Sequence, residues 1–171
     1  MTDPFETLGI EASFDLDLDS LAERHRALSG ALHPDRYASR TAGERRLALE
    51  KAVAVNEAWR TLRDPVKRAE TLLRRSGVEV GETGEPKPSP ELLMEMMEIR
   101  EELAEAQAKR DLDRIHKLAD RMRAREARVI EKLKVGFARG DKDPLVPVLG
   151  ELRYIRRFFE QLDAIEEELL N

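Results

Sequence analysis

The sequence predicts an all-α protein in two parts. An antiparallel helical hairpin with short flanking helices occupies residues 1–75, a linker follows at 76–89, and a three-helix bundle fills 90–171. Three observations carry this reading. Apolar residues recur at three-four spacing in each long segment, which puts one apolar face on each helix. A stretch with Gly77, Gly81, Gly84, Pro86 and Pro88, several acids and little apolar content separates the two parts. The connections at Arg110-Asp111 and Gly140-Asp141 are short, which favours antiparallel neighbours.

Taken in order, Asp3-Pro4-Phe5-Glu6-Thr7-Leu8-Gly9 reads as a short helix ending at glycine. Leu18, Leu21, His25, Leu28 and Leu32 then share one face, as do Ala48, Ala52, Val55, Ala58 and Leu62, so two long helices should pack antiparallel with Trp59 in their seam. Asp64 is a candidate N-cap for a shorter helix beginning at Pro65 and running to Arg75, since proline at the first helical position gives up an N–H that has no partner there. Beyond the linker, Ser89 with Pro90 opens a helix to about Lys109; a second runs from Asp111 to about Arg139, and a third from about Asp143 to Leu170. On the last, Val148, Leu152, Ile155, Phe159 and Leu162 form the expected core stripe.

Composition narrows the function. The 171 residues, 41% of them apolar, are enough for one medium core or two small ones without cross-links. With no cysteine, disulfides, thiolate metal sites and cysteine nucleophiles are excluded, and the chain suits a reducing compartment. The acidic start and the lack of any run of eighteen apolar residues predict a soluble cytoplasmic protein with no membrane partner. Residues 1–75 hold 13 Lys+Arg and 13 Asp+Glu, and the remainder 17 and 22. That balance argues against nucleic acid, whose binding relies on a basic patch that neutralises phosphates.

The most informative motif is His33-Pro34-Asp35, between the two long helices. Proline disfavours helix at the residue before it, so the first helix must stop near Leu32 and present His33 and Asp35 on a loop. Alone, Pro-Asp after a helix is ordinary turn chemistry. With the short helix before it and long helices on both sides, the segment resembles a J domain. That resemblance implies that His33, Pro34 and Asp35, with Arg24 and Arg26 on the preceding helix, dock on a heat-shock-seventy-class chaperone of the HscA/DnaK type and stimulate its ATP hydrolysis. Gly30 and Ala31 make this helix less basic than in generalist J proteins, Leu32 stands where tyrosine is common, and His25 where an aromatic is usual.

On the first bundle helix, Leu92, Met96, Ile99, Leu103 and Ala106 fall within a sector about 80° wide, enough for a core contact. Leu93, Met94 and Met97 lie about 100° to 200° round from Leu92, together with Glu98, Glu101 and Glu105. Methionine adapts well to partner surfaces, and an acid-rimmed apolar patch is a candidate for one. The same residues could instead meet the N-terminal part or widen the core contact. Tyr154, off the centre of its own stripe, could border the patch if the two helices are adjacent.

Asn56-Glu57-Ala58-Trp59, Thr61-Leu62-Arg63-Asp64-Pro65, Arg68-Ala69-Glu70 with Leu72-Leu73, and above all Leu93-Met94-Glu95 with Arg100-Glu101-Glu102-Leu103 extend the likeness to almost the whole chain. They resemble the HscB-type J-domain co-chaperones of iron–sulfur cluster assembly. In that family the C-terminal bundle binds the IscU-type cluster scaffold, through positions that correspond here to Leu93, Met94, Met97, Glu98, Glu101, Glu105 and Tyr154. Met97 stands where leucine is frequent, and Thr71 where an aromatic is. Eukaryotic members carry an N-terminal zinc-binding cysteine tetrad, which this chain lacks, so it resembles the bacterial form. No cofactor is implied.

An enzyme is not expected. His25, His33 and His116 stand in no recognised local arrangement with a serine or cysteine nucleophile, and Asp113 with His116 has metal-ligand spacing but no second such pair. Phosphate-binding, dinucleotide and zinc-protease fingerprints are missing. The alternatives are a structural or regulatory helical dimer, in which the tripeptide is a mere turn, and a generalist J-domain co-chaperone for unfolded clients.

Overall fold

In the computed structural model, which describes residues 3–80 and 88–170, every regular element is helical. The helices are α1 (Pro4–Leu8), α2 (Leu18–Ala31), α3 (Ala42–Arg63), α4 (Pro65–Arg75), α5 (Pro90–Ala108), α6 (Leu112–Arg139) and α7 (Leu145–Leu170), with a 3₁₀ turn at Pro34–Tyr37. The chain divides into two compact units, residues 1–72 and 73–171, the division falling within α4. None of the described helices is long and apolar enough to cross a membrane.

In the first unit, α1 is closed at both ends by local chemistry. Asp3 accepts from the Phe5 N–H at 2.8 Å, and Gly9 ends the helix at φ +62°, a left-handed conformation that glycine adopts without strain. Its Phe5 and Leu8 are buried. On α2, Leu21 is buried and His25, Leu28 and Leu32 are half-buried, but Leu18, the first residue of the helix, stays exposed; Phe14 from the preceding segment is buried instead. Helix α3 starts with a capping box, in which Thr41 Oγ1 accepts from the Glu44 N–H at 3.3 Å and Glu44 Oε2 accepts from the Thr41 N–H at 2.9 Å. Its small Ala48 and Ala58 are buried beside Val55 and Leu62.

Asp64 both ends α3 and starts α4, its Oδ1 accepting from the N–H groups of Val66 and Lys67 at 2.9 and 3.2 Å. Arg68 is then buried, its guanidinium 5.0 Å over the Phe14 ring and its Nη1 donating to the Leu62 carbonyl at 2.6 Å. Burial lowers its pKa, opposed by the carboxylates of Asp64 and Asp15. It thus satisfies one of the carbonyls left open at the end of α3.

The second unit holds the bundle and the residues just after α4. Gly77, at φ +79°, allows the Val78 N–H to reach back to the Leu73 carbonyl at 3.0 Å. Val80 is buried and accepts from Arg74 at 3.4 Å, so the segment expected as linker begins packed; Gly81, Gly84 and Pro86 lie outside the described residues. Helices α5 and α6 run antiparallel, with Glu105 paired to Arg114, Glu102 to Arg121 and Glu95 to Arg125 along their length. Helix α7 returns parallel to α5, for Arg125 also pairs with Glu151 at 2.8 Å and Gln107 donates to Glu168 at 2.9 Å.

The expected core faces hold on α5, where Met96, Ile99, Leu103 and Ala106 are buried and Leu92 partly so. On α7 the register differs: Leu149 and Phe158 are buried, while the expected Val148 and Phe159 are only half-buried. The buried face winds round α7, from Leu145 set against Gly136 of α6 to Ile165 one turn before Glu168, which meets α5. A stripe drawn for one partner misses residues that face the other.

Candidate functional site

Two separate surfaces carry the candidate residues. The first lies at the end of α2. Leu32 is its C-cap, and His33 adopts φ −60°, ψ 136°, the extended conformation that a following proline favours. Pro34 then opens a 3₁₀ turn rather than the open loop expected, because the His33 Nδ1 accepts from the Asp35 N–H at 3.4 Å and so caps the turn. That cap fixes the direction of the following side chain. Asp35 Oδ2 lies 3.4 Å from the same ring nitrogen, and its side chain is 89% exposed. An exposed carboxylate on a braced turn is available to an external cation.

Arg24 and Arg26 do not form one face with each other. Residues two positions apart on a helix project about 200° from each other, and the structure gives the two arginines different roles. Arg24 Nε donates to the Leu8 carbonyl at 2.9 Å, and a Cβ on Gly9 would lie 2.8 Å from its Nη2, so this side chain ties the end of α1 to α2. Arg26 is exposed and makes no ion pair with a described residue. The side chains that brace the hairpin behind this site come from His25, whose ring stacks on Trp59 at 5.1 Å and 13°, and whose Nε2 lies 2.9 Å from Asn56 Oδ1. The seam position of Trp59 was readable from spacing. Its stacking partner was not, since His25 is 34 residues away in sequence.

The second surface is on α5. Leu93, Met94 and Met97 are exposed by 40%, 64% and 61%, so they do not widen the contact with α6 and α7. Glu98 and Glu101 are exposed beside them without an ion pair to a described residue. Glu105 differs: it is held 3.2 Å from Arg114 Nη1 and 3.9 Å from Lys109, which partly neutralises it. Tyr154 is half-buried on α7 with the Arg157 guanidinium 5.8 Å from its ring centre.

Arg125 was not picked out in the sequence, yet it sets the geometry of this surface. Its side chain is only 16% exposed and pairs with Glu95 of α5 and Glu151 of α7. Burial pulls its pKa down, but the hydrogen bonds it donates to Glu95 and Glu151 outweigh that and raise it above the ordinary arginine value. One guanidinium thus joins α5 to α7 two residues before Met97 and three before Tyr154. Its partners lie on two other helices, so no local spacing marked it.

Among the described residues no group of three or more His, Cys, Asp or Glu side chains could hold a metal ion. A mixed-charge groove of about 440 Å³ lies beside the α5 surface, lined by Glu95, Glu98, Glu102, Arg121, Arg125 and Arg128 among others.

Comparison with known proteins agrees along nearly the whole chain. Residues 88–163 match the family model of the HSCB C-terminal oligomerisation domain. The chain is 34% identical to a co-chaperone protein HscB homolog of Neisseria meningitidis, over 96% of this chain and 99% of the relative. It is 33% identical to the Burkholderia multivorans homolog, over 96% and 94%. Among solved structures, the chaperone HscB from Vibrio cholerae superposes with a TM-score of 0.87 at 29% identity, covering 98% of this chain and 99% of that one. The human co-chaperone HscB gives 0.89 at 25% identity, covering 97% and 83%.

Proposed function

The chain belongs to the HscB family of co-chaperones, and from that premise we propose that it couples an iron–sulfur scaffold to an ATP-driven chaperone. In this reading residues 1–75 act as the J domain, 76–89 as a linker, and 90–171 as the scaffold-binding bundle. His33, Pro34 and Asp35 engage the ATPase domain of an HscA/DnaK-type chaperone and stimulate hydrolysis. Asp35 offers the carboxylate and Arg26 an exposed cation, while Arg24, also exposed as a residue, ties α1 to α2. Leu93, Met94, Met97, Glu98, Glu101, Glu105 and Tyr154 receive the IscU-type scaffold. The protein performs no chemistry of its own and works in the cytoplasm.

The observation that carries this reading is the pairing, in one chain, of an exposed Asp35 on a capped turn with an exposed, acid-flanked apolar face on α5. Each surface alone makes a modest contact, and joining two contacts in one chain raises their combined strength when both can be engaged together. The deciding experiment is steady-state ATP hydrolysis by the chaperone, titrated with this protein with and without the scaffold. Synergy between them that disappears in Asp35→Asn is expected. Wild-type stimulation by Asp35→Asn would refute the role given to the carboxylate, and stimulation indifferent to the scaffold would leave a J protein with another client.

A second reading is self-association through the bundle, favoured by the description of the matched family model as an oligomerisation domain. Sedimentation over a range of concentrations separates a dimerising bundle from a monomeric adaptor.

A further inference from the structure

Four methionines lie among the described residues, and the bundle treats them unequally. Met96 and Met122 are 6% and 1% exposed, inside the core, whereas Met94 and Met97 stand well out in solvent. Three residues apart, the latter two are neighbours on one helical face. They are 64% and 61% exposed, and Leu93, at 40%, is the remaining apolar group of the patch. Any reagent that oxidises thioethers therefore meets Met94 and Met97 long before the buried pair.

We propose that Met94 and Met97 form a peroxide-sensitive modification site that switches the α5 docking face off. The inference rests on the reading of that face as the scaffold-binding surface. The step is an oxygen transfer: a thioether sulfur lone pair attacks one oxygen of hydrogen peroxide, the O–O bond breaks, and the proton of the transferred oxygen passes to the departing hydroxide, so that the thioether is oxidised to sulfoxide and the peroxide reduced to water. The sulfoxide is polar and chiral where the thioether was apolar and adaptable, so the same side chain no longer suits burial against an apolar partner. Methionine sulfoxide reductases reverse the change, which makes it a switch rather than damage. Because neither residue contributes to the bundle core, the fold survives the modification. The site depends on residue choice at these positions, since leucine at position 97 would serve docking equally well and could not be oxidised.

The test uses the full-length protein treated with hydrogen peroxide, freed of peroxide, and only then mixed with the IscU-type scaffold. Peptide mass spectrometry reads the order of oxidation, circular dichroism the fold, and titration calorimetry the affinity. Met94 and Met97 should be oxidised first with helicity unchanged, and the Kd should rise by about tenfold or more, in line with the apolar burial that is lost. Reductase treatment should restore it. In Met94→Leu/Met97→Leu, whatever its starting affinity, the ratio of Kd values with and without peroxide should be close to one. Unchanged binding by the doubly oxidised wild type, or equal oxidation of Met96 and Met122 in the folded protein, would overturn the switch alone. Failure of the reduced wild type to bind the scaffold would overturn the docking reading and the switch with it.

Discussion

Asp35 and Arg68 show opposite uses of a charged side chain. Asp35 is 89% exposed, with Oδ2 3.4 Å from the His33 ring nitrogen, so Asp35→Asn should change stability by less than about 0.5 kcal/mol. Thermal melting with the ATPase assay tests whether function is lost without fold. Arg68 is buried between Phe14 and the Leu62 carbonyl. Arg68→Met keeps much of the volume but leaves that carbonyl unpaired, and should destabilise the protein by about 1–3 kcal/mol, read as a lower midpoint in urea. On α5, Leu93→Ala with Met97→Ala should weaken scaffold binding by about tenfold or more with little change in Tm, because both side chains are exposed and lie outside the bundle core. A Tm drop of the size seen for core truncations would contradict that placement. The placement of the tripeptide at the end of α2, and of Leu93, Met94 and Met97 off the α5 core stripe, was legible because proline chemistry and helical projection are local; that the patch is exposed came from the structure. Arg68 was legible only as part of a familiar string, since its role depends on Phe14, 54 positions earlier.

Glycine in helices separates propensity from packing. A Cβ on Gly136 of α6 would lie 2.2 Å from Leu145 Cδ2, and Leu145 is itself buried at the start of α7. Gly136→Ala gains about 1 kcal/mol of helix propensity but forces two helices apart, at about 1–3 kcal/mol; the expected net effect is a lower Tm. Gly150 in α7 has no atom within 4 Å of its would-be Cβ, so Gly150→Ala should raise stability by about 0.5–1 kcal/mol. Melting the two variants side by side tests the contrast. The α3 capping box adds a pH dependence. Hydrogen bonds from the Thr41 hydroxyl and then its N–H hold the Glu44 carboxyl below the usual glutamate range. A carboxylate with a depressed folded pKa contributes stability above its unfolded value and loses it as the pH falls through the folded one. The difference in stability between wild type and Glu44→Gln should therefore shrink as the pH drops below about 4.3, which paired urea melts at neutral and acid pH would show.

For the molecule as a whole, the proposed coupling depends on two surfaces being tethered, so tether length becomes a functional variable. Doubling the 76–89 segment with Gly/Ser residues should lower the effective concentration of one site at the other by about threefold. The scaffold-dependent part of the ATPase stimulation should fall accordingly, while stimulation without scaffold stays the same. Loss of both together would mean that the insertion had disturbed Val80 or the turn at Gly77, which are packed against the end of α4.

Several helix limits, the cap at Asp64 and the angular separation of Leu93, Met94 and Met97 from the α5 core stripe followed from the sequence, because proline, glycine, capping side chains and 3.6-residue periodicity act within a few positions of the chain. The segment Asp64-Pro65 ended one helix and began the next as read, and His33-Pro34-Asp35 fell where α2 stops. Tertiary structure alone decided which helix each polar side chain would serve. It tied Arg24 to α1 and left Arg26 free of ion pairs with described residues, joined α5, α6 and α7 through Arg125, and turned the buried face of α7 from one neighbour to the other. The reason is physical: a long side chain reaches partners distant in sequence, and a helix with two neighbours buries a winding face that no single periodic stripe describes.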